Sequence, residues 1–159
     1  MPRPISPGEH ALAQWNHLSR LPWGGALFMM ALGRMVPYSG ALGARVVTLE
    51  PGFVRLRLRD RRAIRNHLGS VHAVALANLG ELASGLAMTT ALPGQVRSIV
   101  TSLSVEYLKK ARGVITAESR VSVPTVTGPV DHEVRAVLRD AAGDEVAVVS
   151  VRWRLSPSA

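Results

Sequence analysis

The 159 residues suit one domain with a sizeable core, and a hydrophobic content of 47% excludes a disordered chain. The absence of Cys excludes a disulfide scaffold and any thiolate metal site, and it fits a reducing, cytoplasmic setting. A net charge of +8 draws polyanions, although Arg far outnumbers Lys, a bias that a GC-rich genome gives without any binding role.

Pro2, Pro4 and Pro7 predict a flexible lead. Glu9 to Arg20 reads as a helix with Leu12, Trp15 and Leu18 on one side, broken by Pro22. Trp23 to Met35 reads as a second helix that ends before Pro37, after which Gly40 and Gly43 loosen the chain. The apolar part of this segment, Trp23 to Gly33, is too short to span a bilayer, stops at Arg34 and lacks signal-peptide flanks, so no membrane association is expected. After Gly43 the period becomes two. Val54, Leu56 and Leu58 share one face and Arg55, Arg57 and Arg59 the other, with Arg45 to Glu50 as the hairpin partner across Pro51-Gly52.

Arg61 to Gly69 is a polar connection, and Ser70 or His72 opens a long helix that stops at Pro93-Gly94. From Ala73 to Val96 the only charged residue is Glu81. A carboxylate in an enclosed apolar helix is costly to ionise, so its pKa is expected to rise toward neutrality, where a general base works best. Four strand-like runs follow. In the first, Ile99, Thr101, Leu103, Val105 and Tyr107 alternate with Ser98, Ser102, Ser104 and Glu106. Turns at Arg112-Gly113, Thr127-Gly128-Pro129 and Ala142-Gly143-Asp144 predict a four-stranded meander. A long apolar helix needs a curved sheet to wrap it, so the fold class is α+β with an antiparallel sheet.

The run R-N-H-L-G-S-V-H-A-V-A-L-A-N-L-G-E, from Arg65 to Glu81, resembles the signature of hotdog-fold acyl-CoA thioesterases of the phenylacetate-pathway type. That signature is Asn, then Gly, then His-Gly-Gly, then Asp or Glu nine residues after the His. Asn66, Gly69, His72 and Glu81 match it in type and spacing, and S-L-S-V-E-Y-L-K-K-A-R-G, Ser102 to Gly113, is similar to the strand after the helix. The resemblance covers roughly residues 43–155 and is nearest to uncharacterised hotdog members. It implies a hotdog domain over 41–159, with a curved antiparallel sheet around the central helix, preceded by an N-terminal helical extension over 1–40. It also implies hydrolysis of an acyl- or aroyl-CoA with no cofactor, coenzyme A being part of the substrate. The implied homodimer leaves further pairing into a tetramer open.

The resemblance further implies that Glu81 is general base or nucleophile, that the Ala73 N–H polarises the thioester carbonyl, that Asn66 orients water or carbonyl, and that Thr101, on the inward parity of its strand, holds the water. Gly69 and His72 would lie at the substrate, and Arg61, Arg62, Arg65, Lys109, Lys110 and Arg112 would meet the phosphates of coenzyme A. Ala73 and Glu81 are eight residues apart, about 12 Å along a helix, so one helix hardly brings both to one carbonyl. The family pairs two protomers instead.

Two departures stand out: Ala73-Val74 replaces Gly-Gly, and Lys110 replaces a Pro. The second changes the mouth of the substrate channel, and the first favours an alternative, a non-catalytic hotdog module that binds acyl-CoA or a fatty acyl ligand. Each residue also has a structural use: Glu81 as an ion-pair partner, Asn66 in a turn, His72 at a helix start, Thr101 in a strand. Nucleic-acid binding through Arg55, Arg57 and Arg59 is disfavoured because no aromatic interleaves them. His10, His17, His67, His72 and His132 show no metal spacing, and neither a phosphate loop nor a serine elbow is present.

Overall fold

A computed structural model describes residues 5–158: α1 (Pro7–Leu18), α2 (Gly24–Gly33), α3 (Pro37–Ala41), β1 (Arg45–Glu50), β2 (Phe53–Arg59), α4 (Ala73–Ala91), β3 (Val96–Tyr107), β4 (Val114–Arg120), β5 (Val130–Arg139) and β6 (Glu145–Pro157). Pro2 and Pro4 lie outside the described residues. The flexible lead expected at Pro7 is corrected, because Pro7 is the first residue of α1. Ser6 caps that helix: its hydroxyl accepts from the Glu9 N–H at 3.1 Å, and the Glu9 carboxylate accepts from the Ser6 N–H at 2.8 Å. The short helix α3, begun by Pro37, was not expected.

The six strands form one antiparallel sheet in the order β1-β2-β4-β5-β6-β3. The β1–β2 hairpin is as expected. The four-stranded meander is corrected. Only β4, β5 and β6 follow one another in space, β4 pairs with β2, and β3 crosses to the far edge beside β6. Alternation marks a run as a strand, but its neighbours are chosen by which strands cover the helix.

Strands β2, β4, β5 and β6 present inward side chains that include Leu56, Ala117, Ala136 and Val149, all with no exposed surface, to the core shared with Leu79, Ala83 and Ala87 of α4. Trp15 of α1, Phe28 and Met29 of α2 and Leu42 join the same core. Trp15 meets Phe28 edge-on at 5.8 Å between ring centroids. The far end of α4 is tied to the β1–β2 turn by Thr90, whose hydroxyl accepts from the Gly52 N–H at 3.1 Å.

The register of β3 shifts between Val100 and Ser102. Cross-strand partners share a face, so Val100 opposite Trp153 points inward and Ile99 opposite Arg154 outward, while Leu103 opposite Val151 points inward again. The bulge reverses the parity at Thr101. The single alternating face expected from Ile99 to Tyr107 therefore does not hold.

Helix α4 approaches β6 closely at Gly80, where an added Cβ would sit 2.3 Å from Val149 Cγ2. At Gly85, one turn on, an added Cβ would meet only Trp153 and Glu81 atoms at 3.6–4.0 Å, ordinary contact. Gly80→Ala is expected to lose about 1–3 kcal/mol through overpacking. Gly85→Ala is expected to gain up to about 1 kcal/mol from helix propensity. Urea denaturation of the two variants checks both signs.

Candidate functional site

The helix start is built by the segment before it. The Asn66 side-chain oxygen accepts from the Leu68 N–H at 2.9 Å and from the Ser70 N–H and hydroxyl, both at 3.2 Å. Asn66 is thus a turn residue, as its structural reading held, and its Nδ2 amide has no partner among the described residues. Gly69 takes φ +68, which favours glycine in this turn. The loop is then held from three sides. The Val71 N–H donates to the Ala111 carbonyl and the His72 N–H to the Ile64 carbonyl, each at 2.8 Å. Asp60 accepts from Arg65 Nε at 2.6 Å and from the Gly113 N–H at 3.1 Å. The Arg65 guanidinium holds the Asp60 carboxyl below its usual range.

His72 is the N-cap of α4, its Nδ1 accepting from the Val74 N–H at 3.1 Å. The next donors, the N–H groups of Ala73 and Ala75, have no acceptor among the described residues and stand at the positive end of a 19-residue helix. Ala73 and Asn66 line one shallow hollow with Leu68, Tyr107, Lys109 and Lys110. Tyr107 was missed by sequence reasoning, which treated it as one more alternating residue. Its hydroxyl donates to the Ala73 carbonyl at 3.0 Å and fixes the end of β3 to the helix start.

Glu81 lies elsewhere. It is half-buried in the wall of a second cavity of about 600 Å³, between α1, α2, α3, α4 and Trp153 of β6. It makes no side-chain hydrogen bond or ion pair among the described residues, so the internal pair that would have made it structural is missing. Burial alone lifts its carboxyl above the ordinary 4.5. The chain thus brings Asn66 and Ala73 together but places Glu81 in a different hollow.

Thr101 is exposed on the edge strand, and its hydroxyl donates to the Arg152 carbonyl at 3.3 Å. The inward orientation expected for it is corrected by the bulge. The six candidate phosphate partners divide. Arg61 donates to the Ala41 and Leu42 carbonyls, both at 2.9 Å. Arg65 is paired with Asp60, and Lys109 with Asp140 and Asp144 at 2.7 and 2.6 Å. Arg112 donates to the Leu68 carbonyl at 3.3 Å. Among the described residues Arg62 and Lys110 have no such engagement, and Lys110 faces the Asn66–Ala73 hollow. No group of three or more His, Asp or Glu among the described residues is placed to hold a metal.

A family model described as "Domain of unknown function (DUF4442)" matches residues 24–155. The chain belongs to this family. This DUF4442 protein is 37% identical over 115 residues to a Halobacterium salinarum protein named "Putative esterase", a match covering 67% of the chain and 76% of that protein. Among solved structures it is similar to the structural-genomics protein APC5556, at 28% identity and a TM-score of 0.81, over 94% of this chain and 99% of that one. It is also similar to Pseudomonas aeruginosa PA5026, described as a protein of unknown function and a probable thioesterase, at 27% identity and a TM-score of 0.72, over 79% and 90% of the two chains. A Streptococcus mutans UA159 protein bound to acetyl CoA shares the fold at 19% identity and a TM-score of 0.61, over 71% and 88%. The DUF4442 chain therefore has the hotdog architecture of the thioesterase superfamily. No helix among the described residues is long and apolar enough to cross a membrane.

The raised Glu81 pKa has a measurable consequence. Burial favours the protonated form, so the stability linked to this group is full below pH 4.5 and is lost as pH rises through the elevated value. Glu81→Gln removes that dependence. Urea midpoints of the two proteins, compared from acid to neutral pH, are expected to diverge in favour of Gln as pH rises. A constant difference would show that the carboxylate is not desolvated.

Proposed function

We propose that the chain hydrolyses acyl-CoA or aroyl-CoA thioesters at a site shared by two copies. The observation that carries this reading is the division of labour already described: a desolvated, unpaired carboxylate in one hollow and unclaimed N–H donors in another. Across a dimer interface the two complete each other. The names of the Halobacterium and Pseudomonas relatives, and the acetyl CoA on the Streptococcus protein, support the same chemistry.

The sheet supports the pairing. Of its two edges, β1 packs against α2, with Gly25 close on the Val46 carbonyl. The other edge, β3, is 12 residues long and exposes Ile99, Leu103 and Tyr107. A long edge with exposed apolar side chains is a template for a second strand, and β3 also carries Tyr107 to the helix start.

In this reading Glu81 of one copy removes a proton from water, and the water oxygen adds to the thioester carbonyl carbon. The oxyanion so formed accepts from the Ala73 N–H and the Asn66 Nδ2 of the other copy. Collapse breaks the C–S bond, and Glu81 returns the proton to the departing thiolate, leaving a carboxylic acid and coenzyme A. Direct attack by Glu81 through an anhydride gives the same products. Lys110 and Arg62 are the cations left to meet phosphate. His72 serves by capping the helix that aims the Ala73 N–H.

Thiol release from an acyl-CoA panel tests the reading. Glu81→Gln is expected to lower kcat roughly 100- to 10,000-fold, and Asn66→Ala roughly 100- to 1,000-fold. Mixed Glu81→Ala and Asn66→Ala chains are expected to regain activity that neither has alone, and no recovery would count against a shared site. Tight binding of acyl-CoA with no thiol release from the wild type would favour the non-catalytic module, the reading to which Val74, half-exposed beside Ala73, gives some support.

A further inference from the structure

We infer that the cavity between the N-terminal helices and α4 is the acyl-chain site, and that it takes a flexible aliphatic chain rather than an aromatic ring. This deepens the thioesterase reading and rests on it for the position of the carbonyl. The cavity, about 600 Å³, falls in the range of small-molecule sites. Its walls are mainly apolar: Leu32 of α2 and Leu82 and Leu86 of α4 stand with the aromatic Phe28 of α2 and Trp153 of β6, and His10 and Gln14 of α1 add polar atoms. Among the described residues the one carboxylate in the lining is Glu81. That arrangement fits a molecule with a single reactive polar end and a long apolar body.

The enclosure is built rather than incidental. Gly8 of α1 lies so close to α4 that an added Cβ would fall 2.1 Å from the Thr89 carbonyl oxygen. The Ser39 hydroxyl of α3 donates to the Asn78 side chain of α4 at 2.9 Å, and Arg61 holds the end of α3 by two carbonyls. At the rim, Ile5 and Met35 are 73% and 79% exposed, an apolar entrance. Beside Phe28 and Trp153 the apolar lining is otherwise aliphatic or methionine, and such walls adapt to a chain with many rotamers better than they grip a flat ring. The segment before the sheet is thus the specificity-determining part of the molecule, and it acts within one chain.

The test uses S-alkyl-coenzyme A thioethers, which lack the reacting carbonyl, titrated into the full chain by calorimetry. From S-ethyl upward, each added methylene is expected to tighten binding roughly fourfold until the cavity is full, and S-benzyl-coenzyme A to bind no tighter than S-butyl. Ala11→Phe and Gly85→Leu, which fill the cavity from facing walls, are expected to stop the gain at a shorter chain; two sites keep the test alive if one variant does not fold. A flat series, a series unmoved by both variants, or a benzyl thioether that outbinds the dodecyl one overturns the inference. Thiol release separates the two readings. If the series shortens as expected but no acyl-CoA is cleaved, the chain site stands and hydrolysis falls. If acyl-CoA is cleaved but the variants leave the series unchanged, hydrolysis stands and the chain lies elsewhere.

Discussion

The contact between Gly80 of α4 and Val149 of β6 sets the geometry of this molecule. Only a residue without a side chain lets the helix sit that close to the sheet. The close seat allows short inward residues, among them Ala117, Ala136 and Val149, to fill the space between sheet and helix with no exposed surface. It also fixes which face of α4 is left over. The face turned away from the sheet carries Glu81, Leu82 and Leu86, and the chain encloses it with α1, α2 and α3 rather than with more strands.

That choice of cover explains the contrast among the carboxylates. Asp60, Asp131 and Asp140 each receive an Arg or Lys hydrogen bond that draws the pKa down, and each joins two segments of chain. Glu81 receives none, and its pKa rises by desolvation. The first three are fastenings. A group held in the less favourable direction, beside a cavity and without a partner among the described residues, is a candidate for chemistry.

Much of this was legible from residues. Period-two runs gave β1, β2 and β4 to β6, because a half-buried strand must alternate. The turn at Pro51-Gly52 gave the hairpin, and Pro93 gave the end of α4. Charge depletion from Ala73 to Val96 marked the buried helix and its lone carboxylate, since isolated charges are rarely enclosed without a use. Less legible was β3, whose bulge reverses the side on which each residue falls. A bulge leaves no mark on alternation until its ladder partners are known. The same gap misplaced Thr101.

The local sequence by itself determined the elements, the capped start of α4 at His72 and the presence of one acid in an apolar helix, because propensity, capping and burial cost act over a few residues. Only the tertiary structure decided strand order, the free edge at β3, the division of the candidate residues between two hollows, and which cations remain unpaired. These depend on contacts between residues far apart in the chain, such as Lys109 with Asp140 or Ser39 with Asn78. Such contacts form only when the enclosed helix has gathered its surroundings.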